Sequence, residues 1–277
     1  MRTTHVTPGA HGHSPGRRGP VSGLRRALVA FLAGVASVAG LLTAAPGAGA
    51  SGPVGRDVVI CDQYGSTTIQ NRYTVQNNRW GTSATQCIDV SGTGFRLAQA
   101  DGGVSTGGPP KSYPSVFFGC HYGNCSPGTN LPRQISSIGT ARTSITYQYT
   151  GNSVYNASYD IWLDPTPRRT GVNQTEIMIW LNRVGPIQPI GSPSGTVSVA
   201  GRSWQVWTGS NGSNQVISFV APSAIGSLTF DVMDFVDVTV SRGLAGNAWY
   251  LTSIQAGFEP WQGGVGLGVS SFSATVA

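Results

Sequence analysis

Residues 175–182 read TEIMIWLN, and their alternation decides the fold. Side chains of an extended chain point to opposite faces in turn, so Glu176, Met178 and Trp180 share one face while Ile177, Ile179 and Leu181 share the other. The aliphatic face suits a core between two sheets. The other face sets a carboxylate beside a flat aromatic, which is costly in a core and natural in a wet groove that receives a polymer. The same alternation in YDIWLD (159–164) sets Asp160, Trp162 and Asp164 against Tyr159, Ile161 and Leu163. If these two strands pair, Asp160 comes to lie beside Glu176.

Working outward, SITYQYT (144–150), GTVSVAG (195–201), RSWQVWTG (202–209) and NQVISFVA (214–221) are further short runs rich in β-branched and aromatic residues, broken by turn signals. SNGS at 210–213 predicts a hairpin between two of them. One stretch departs from this pattern. In TFDVMDFVDVTVSRG (229–243), Val232, Phe235, Val236, Thr239 and Val240 recur at helical spacing. Asp231, Asp234 and Asp237 fall on the other side as a solvated face, and Arg242 with Gly243 suits a helix end. The expected architecture is all-β: a large sandwich of two antiparallel sheets with one helix packed on it.

The first 50 residues carry Arg17, Arg18, Arg25 and Arg26, an apolar run rich in Ala and Gly, and AGA ending at Ala50. This is the composition of a secretory signal rather than of a membrane anchor, and the paired arginines are compatible with twin-arginine export. The expected division is a signal over 1–50, a short Gly/Pro linker over 51–56 and one domain over 57–277. Of the 17 basic residues, five arginines lie in the leader, which leaves 12 against 11 acidic groups. The near balance removes nucleic acid as a partner. His121 is the only histidine after the leader, which excludes a His-rich metal site and would force any Ser-His-Asp triad through that residue. Cys61, Cys87, Cys120 and Cys125 all follow the leader. An even count in an oxidising compartment favours two disulfides, with three pairings open, over metal binding by CHYGNC (120–125).

Nine of the 11 acidic residues are Asp, so the two glutamates stand out, and both sit among aromatics. Glu259 lies between Phe258 and Pro260-Trp261, neighbours that disfavour its ionised form. Two carboxyls that flank one bond, one charged and one holding a proton, are the equipment of glycoside hydrolysis. Exposed Trp and Tyr would supply stacking surfaces for sugar rings, although most of them, Trp204 and Trp207 included, read as core or sheet residues. A β-sandwich carbohydrate-binding module could use the same aromatics without chemistry, but it has no need of the two glutamates.

Taken together, NNRWG (77–81), YDIWLD, TEIMIWLNRVGPIQPIGS (175–192), GRSWQVWTGSNG (201–212) and SIQAGFEPW (253–261) resemble glycoside hydrolase family 12 over essentially all of 57–277. That resemblance implies a β-jelly roll with a concave cleft and a secreted endo-β-1,4-glucanase. A xylanase or xyloglucanase is the nearer rival on a related jelly roll. The resemblance makes Glu176 the nucleophile, Glu259 the general acid/base and Asp160 the carboxyl partner of the nucleophile. It places Asn78 and Trp80 at sugar-binding positions, Met178 and Trp180 on the cleft floor, Pro189 and Ile190 in a segment crossing one end, and His121 and Tyr122 near the site. It pairs Cys61 with Cys87 and Cys120 with Cys125. The implied protein is a monomer that acts on β-glucan polysaccharide, with no cofactor or metal and no membrane contact after the leader is removed.

Overall fold

The computed structural model describes residues 57–277; the expected signal and linker lie outside the described residues. In chain order the elements are β1 (Val58–Ile60), β2 (Ser66–Ile69), β3 (Tyr73–Gln76), β4 (Gln86–Val90), β5 (Phe95–Ala100), β6 (Ser115–His121), β7 (Asn124–Cys125), β8 (Arg133–Gln134) and β9 (Ala141–Gln148). They continue with β10 (Val154–Asp164), β11 (Thr175–Val184), β12 (Ser192–Val199), β13 (Arg202–Ser210), β14 (Gln215–Val220), β15 (Ser227–Asp231), α1 (Val232–Ser241), β16 (Tyr250–Gln262) and β17 (Gly268–Val276). Two sheets result. The smaller runs β1-β4-β5-β17-β9-β15, and the larger runs β12-β13-β14-β11-β10-β16-β6-β3-β2, with β7 added to β6 and β8 to β16.

The expected antiparallel pairing holds with one correction. β14 lies parallel to β11, because the chain leaving β11 crosses to the sheet edge and returns through two antiparallel turns, β12 to β13 and β13 to β14. The second of these is the hairpin predicted at SNGS.

Between the sheets lies the core to which β10 contributes Tyr159, Ile161 and Leu163 and β11 contributes Ile177, Ile179 and Leu181, all fully buried. Each such side chain stabilises the fold by about 1.5–3 kcal/mol relative to exposure. Helix α1 docks through Phe235, which meets Trp204, Phe219 and Phe230 edge-on at centroid distances of 5.5, 5.0 and 5.3 Å. Its buried residues are Val232, Phe235, Val236 and Thr239, as the helical spacing predicts.

Asp231 corrects the reading of three solvated aspartates. Asp234 and Asp237 are exposed, but Asp231 caps the helix, its Oδ1 accepting from Met233 N at 3.0 Å and from Ala141 N at 2.9 Å. Loss of both bonds in Asp231→Ala should lower stability by about 1–2 kcal/mol. The check is a lower urea midpoint at unchanged slope.

The cysteines form Cys61–Cys87 and Cys120–Cys125 disulfides, which selects one of the three open pairings and removes the metal alternative. The second closes the β6–β7 turn that carries His121 and Tyr122.

Candidate active site

Alternation places Asn156, Ser158, Asp160 and Trp162 of β10 on the face of the larger sheet turned away from the core, with Glu176, Met178 and Trp180 on β11 and Ser253, Gln255, Gly257, Glu259 and Trp261 on β16. The strands do pair, as β16-β10-β11. Asp160 stands opposite Met178 rather than Glu176, while Trp162 stands opposite Glu176. Asp160 and Glu176 are therefore diagonal neighbours, within reach of each other's side chains.

Glu259 pairs with Asn156, six residues along β10 from the level of Glu176, and a flat strand would hold these levels roughly 20 Å apart. The charge of Glu259 nevertheless bears on both Glu176 and Asp160. Register breaks, which bend and twist a strand locally, lie between β10 and β11 at Ala157/Ser158 and between β10 and β16 at Val154/Tyr155 and Trp162/Leu163. A Cβ at Gly257 would collide with the Pro114 carbonyl and Ser115, so glycine lets β6 approach β16 beneath the cleft.

All three carboxyls are buried, with residue exposures of 7% for Glu176 and 4% for Asp160, while Glu259 is somewhat more open. Burial is the first cause that pushes each upward, and mutual charge adds to it for Asp160 and Glu176. Asp160 is raised well above the carboxylate range even though Ser158 Oγ donates to its Oδ1 at 3.0 Å. Glu176 is pushed up to about 8 by burial and by the charge of Glu259, against a lowering hydrogen bond that Asn214 Nδ2 donates to its Oε2 at 3.3 Å. Glu259 is pushed up to about 7 by burial, against a lowering hydrogen bond from Asn156 Nδ2 at 2.6 Å.

Asn156 and Asn214 are the site residues that the sequence reading missed. Asn156 could have been found, because it shares the alternation of Asp160. Asn214 could not, since its approach depends on the parallel pairing of β14 with β11.

Asp164 follows the same alternation but serves the turn. It accepts from Thr166 N and Oγ1, Arg168 Nε and Gln174 N at 2.9, 2.6, 2.6 and 3.2 Å. Burial pushes its carboxyl up, and the bonds from Thr166 and Arg168 outweigh that and hold it below its ordinary value.

Trp80 and Tyr122 are exposed at 42% and 62%. Asn78 is half-buried, with φ 40, and its carbonyl accepts from Tyr113 N at 3.0 Å. Tyr122 feels the charge of Glu176 and meets His121 edge-on at 4.8 Å. His121 is held to about 4 by burial and stays neutral near pH 7. Its Nδ1 lies 2.9 Å from Gln255 Nε2, so with the amide donating, the imidazole proton sits on Nε2.

Met178 and Trp180 occupy the expected face but lie beneath its surface, 3% and 2% exposed, packed with Ile187, Val216, Val220 and Trp261. They support the floor and offer no free ring face. Pro189 is buried in the connection from β11 to β12, whose Ile187 and Ile190 join that apolar cluster. Trp204 is core, whereas Trp207 lies half-buried against the same cluster.

Three enclosed carboxyls on the outer face of one sheet of a β-sandwich are the equipment of a glycoside hydrolase. The model of glycosyl hydrolase family 12 matches residues 71–277. The chain belongs to that family. A probable cellulase, Cel12b, of Mycobacterium tuberculosis is 55% identical over 149 residues, 54% of this chain and 99% of that protein. A probable xyloglucan-specific endo-β-1,4-glucanase A of Aspergillus terreus is 35% identical over 231 residues, covering 79% of this chain and 87% of the relative. Among solved structures, the endo-1,4-β-glucanase CelB2 is 67% identical with a TM-score of 0.79, covering 80% of this chain and 100% of that one.

Proposed function

We propose that the chain is a secreted endo-β-1,4-glucanase that cleaves internal bonds of β-glucans by a retaining double displacement. Glu176 attacks the anomeric carbon while Glu259 gives its proton to the departing glycosidic oxygen. Glu259 then takes a proton from the water that releases the sugar from Glu176. Asp160, the diagonal neighbour of Glu176, carries a proton in this mechanism and leaves Glu176 as the ionised member of the two. The carrying observation is a buried Glu176 and a half-buried Glu259, each accepting from its own asparagine, on the outer face of one sheet. A binding module would gain nothing from three desolvated carboxyls, so this observation favours the enzyme.

Relatives named for both cellulase and xyloglucan activity make the substrate test a panel. Reducing-end release should be seen on carboxymethyl-cellulose and mixed-linkage glucan, and activity on xyloglucan alone would transfer the proposal to that substrate. Trp80→Ala should raise KM on carboxymethyl-cellulose roughly 3–10-fold with kcat little changed, as expected for a lost stacking platform. A fall in kcat at unchanged KM would remove Trp80 from substrate capture.

A further inference from the structure

The shortest hydrogen bond to either glutamate comes from Asn156, not from another titratable group. Asn156 Nδ2 donates to Glu259 Oε2 at 2.6 Å, and the Glu259 backbone N–H donates back to Asn156 Oδ1 at 3.3 Å. The two residues are direct cross-strand partners, and Asn156 is fully buried. The next pair along is Tyr155 with Pro260, and the register slips between Tyr155 and Val154. Proline has no amide hydrogen, so the ladder is weakened immediately after Glu259. At this position the Asn156 side chain fixes both the backbone and the carboxyl of its partner.

We infer that Asn156 is the positioning residue for proton transfer by Glu259: its N–H occupies Oε2 and leaves Oε1 as the oxygen that carries the proton to the leaving group. This rests on the reading of Glu259 as the acid/base. In the first step the Oε1 proton passes to the glycosidic oxygen as that oxygen takes the electron pair of the breaking C–O bond. In the second step Oε1 recovers a proton from the attacking water. A side-chain amide suits the position because it stays neutral and cannot accept the transferred proton in place of Glu259. The titratable groups that face Glu259 are Asp160 on β10, Glu176 on β11 and Tyr113 ahead of β6. None of them replaces the Asn156 donor.

The test compares two substrates in Asn156→Ala and in Asn156→Leu, the second filling more of the buried space. On cellotetraose, whose leaving sugar needs a proton, kcat/KM should fall by about 10–100-fold. On dinitrophenyl β-cellobioside, whose leaving group departs without one, kcat/KM should change less than about threefold. The alkaline limb of the cellotetraose profile should also move to higher pH, because the lost N–H stabilised the ionised carboxyl. Equal losses on both substrates, or no loss on either, in both variants would reduce Asn156 to a structural residue and overturn the inference. Glu259→Gln in parallel separates the two claims. If it shows the substrate selectivity and neither Asn156 variant does, only the role of Asn156 falls, whereas absence of selectivity in Glu259→Gln removes the acid/base assignment itself.

Discussion

Glu176→Gln should lower kcat/KM by at least about 10³-fold on both cellotetraose and dinitrophenyl β-cellobioside, because both substrates require the nucleophile whatever their leaving group. The change preserves shape and removes the attacking oxygen's charge. Wild-type rates in this variant would return the protein to the binding-module reading. The variant should also be well folded. Glu176 and Glu259 both lie above their ordinary value of 4.5 in the folded chain, with burial as the first cause. The folded state therefore keeps protons that the unfolded state releases, and stability falls as pH rises from about 4.5 through the range near 7 where Glu259 titrates. Removing one buried ionisable group should relieve part of that fall, so Glu176→Gln should gain thermal stability relative to wild type as pH rises. Loss of activity with a raised Tm separates a catalytic role from a structural one, in the way expected of sites that hold costly groups for function.

The parts of the protein that were legible in the sequence are those governed by local periodicity. Alternation in β10 and β11 assigned Ile177, Ile179 and Leu181 to the core and Glu176 to the opposite face, and the helix announced itself through the spacing of Val232, Phe235, Val236 and Thr239. Alternation cannot report depth. Met178 and Trp180 sit on the expected face but are covered by the connection from β11 to β12, a packing event between segments far apart in the alternation pattern. Nor can it report register: the bulge at Ala157/Ser158 and the offset that sets Trp162, not Asp160, opposite Glu176 depend on how neighbouring strands seat. Asn214 depends on a parallel pairing with three intervening turns of chain. Lys111, fully buried with Nζ bonded to the Ala100, Asp101 and Gly102 carbonyls at 3.0, 3.2 and 3.1 Å, reads as an ordinary loop lysine in PKSYP. Its neighbours come from a strand end that only the folded chain brings near.

The first product released from a β-linked cello-oligosaccharide should be the β-anomer, visible by proton NMR before mutarotation. Retention demands that a carboxylate attack the sugar directly, with the two carboxyls about 5–5.5 Å apart, whereas inversion needs about 6.5–9.5 Å to admit a water between nucleophile and sugar. The surroundings of Glu176 fit the direct attack proposed for it. It is 7% exposed, stands across from Trp162, accepts from Asn214 Nδ2, and has as its diagonal neighbour Asp160, a carboxyl raised well above its ordinary value by burial and by the charges of Glu176 and Glu259. The same surroundings favour covalent capture. Bond formation to the sugar neutralises a carboxylate that burial disfavours, so its desolvation cost is recovered as the glycosyl-enzyme forms. An α-anomer as first product would make Glu176 a base acting through water and would overturn the covalent step.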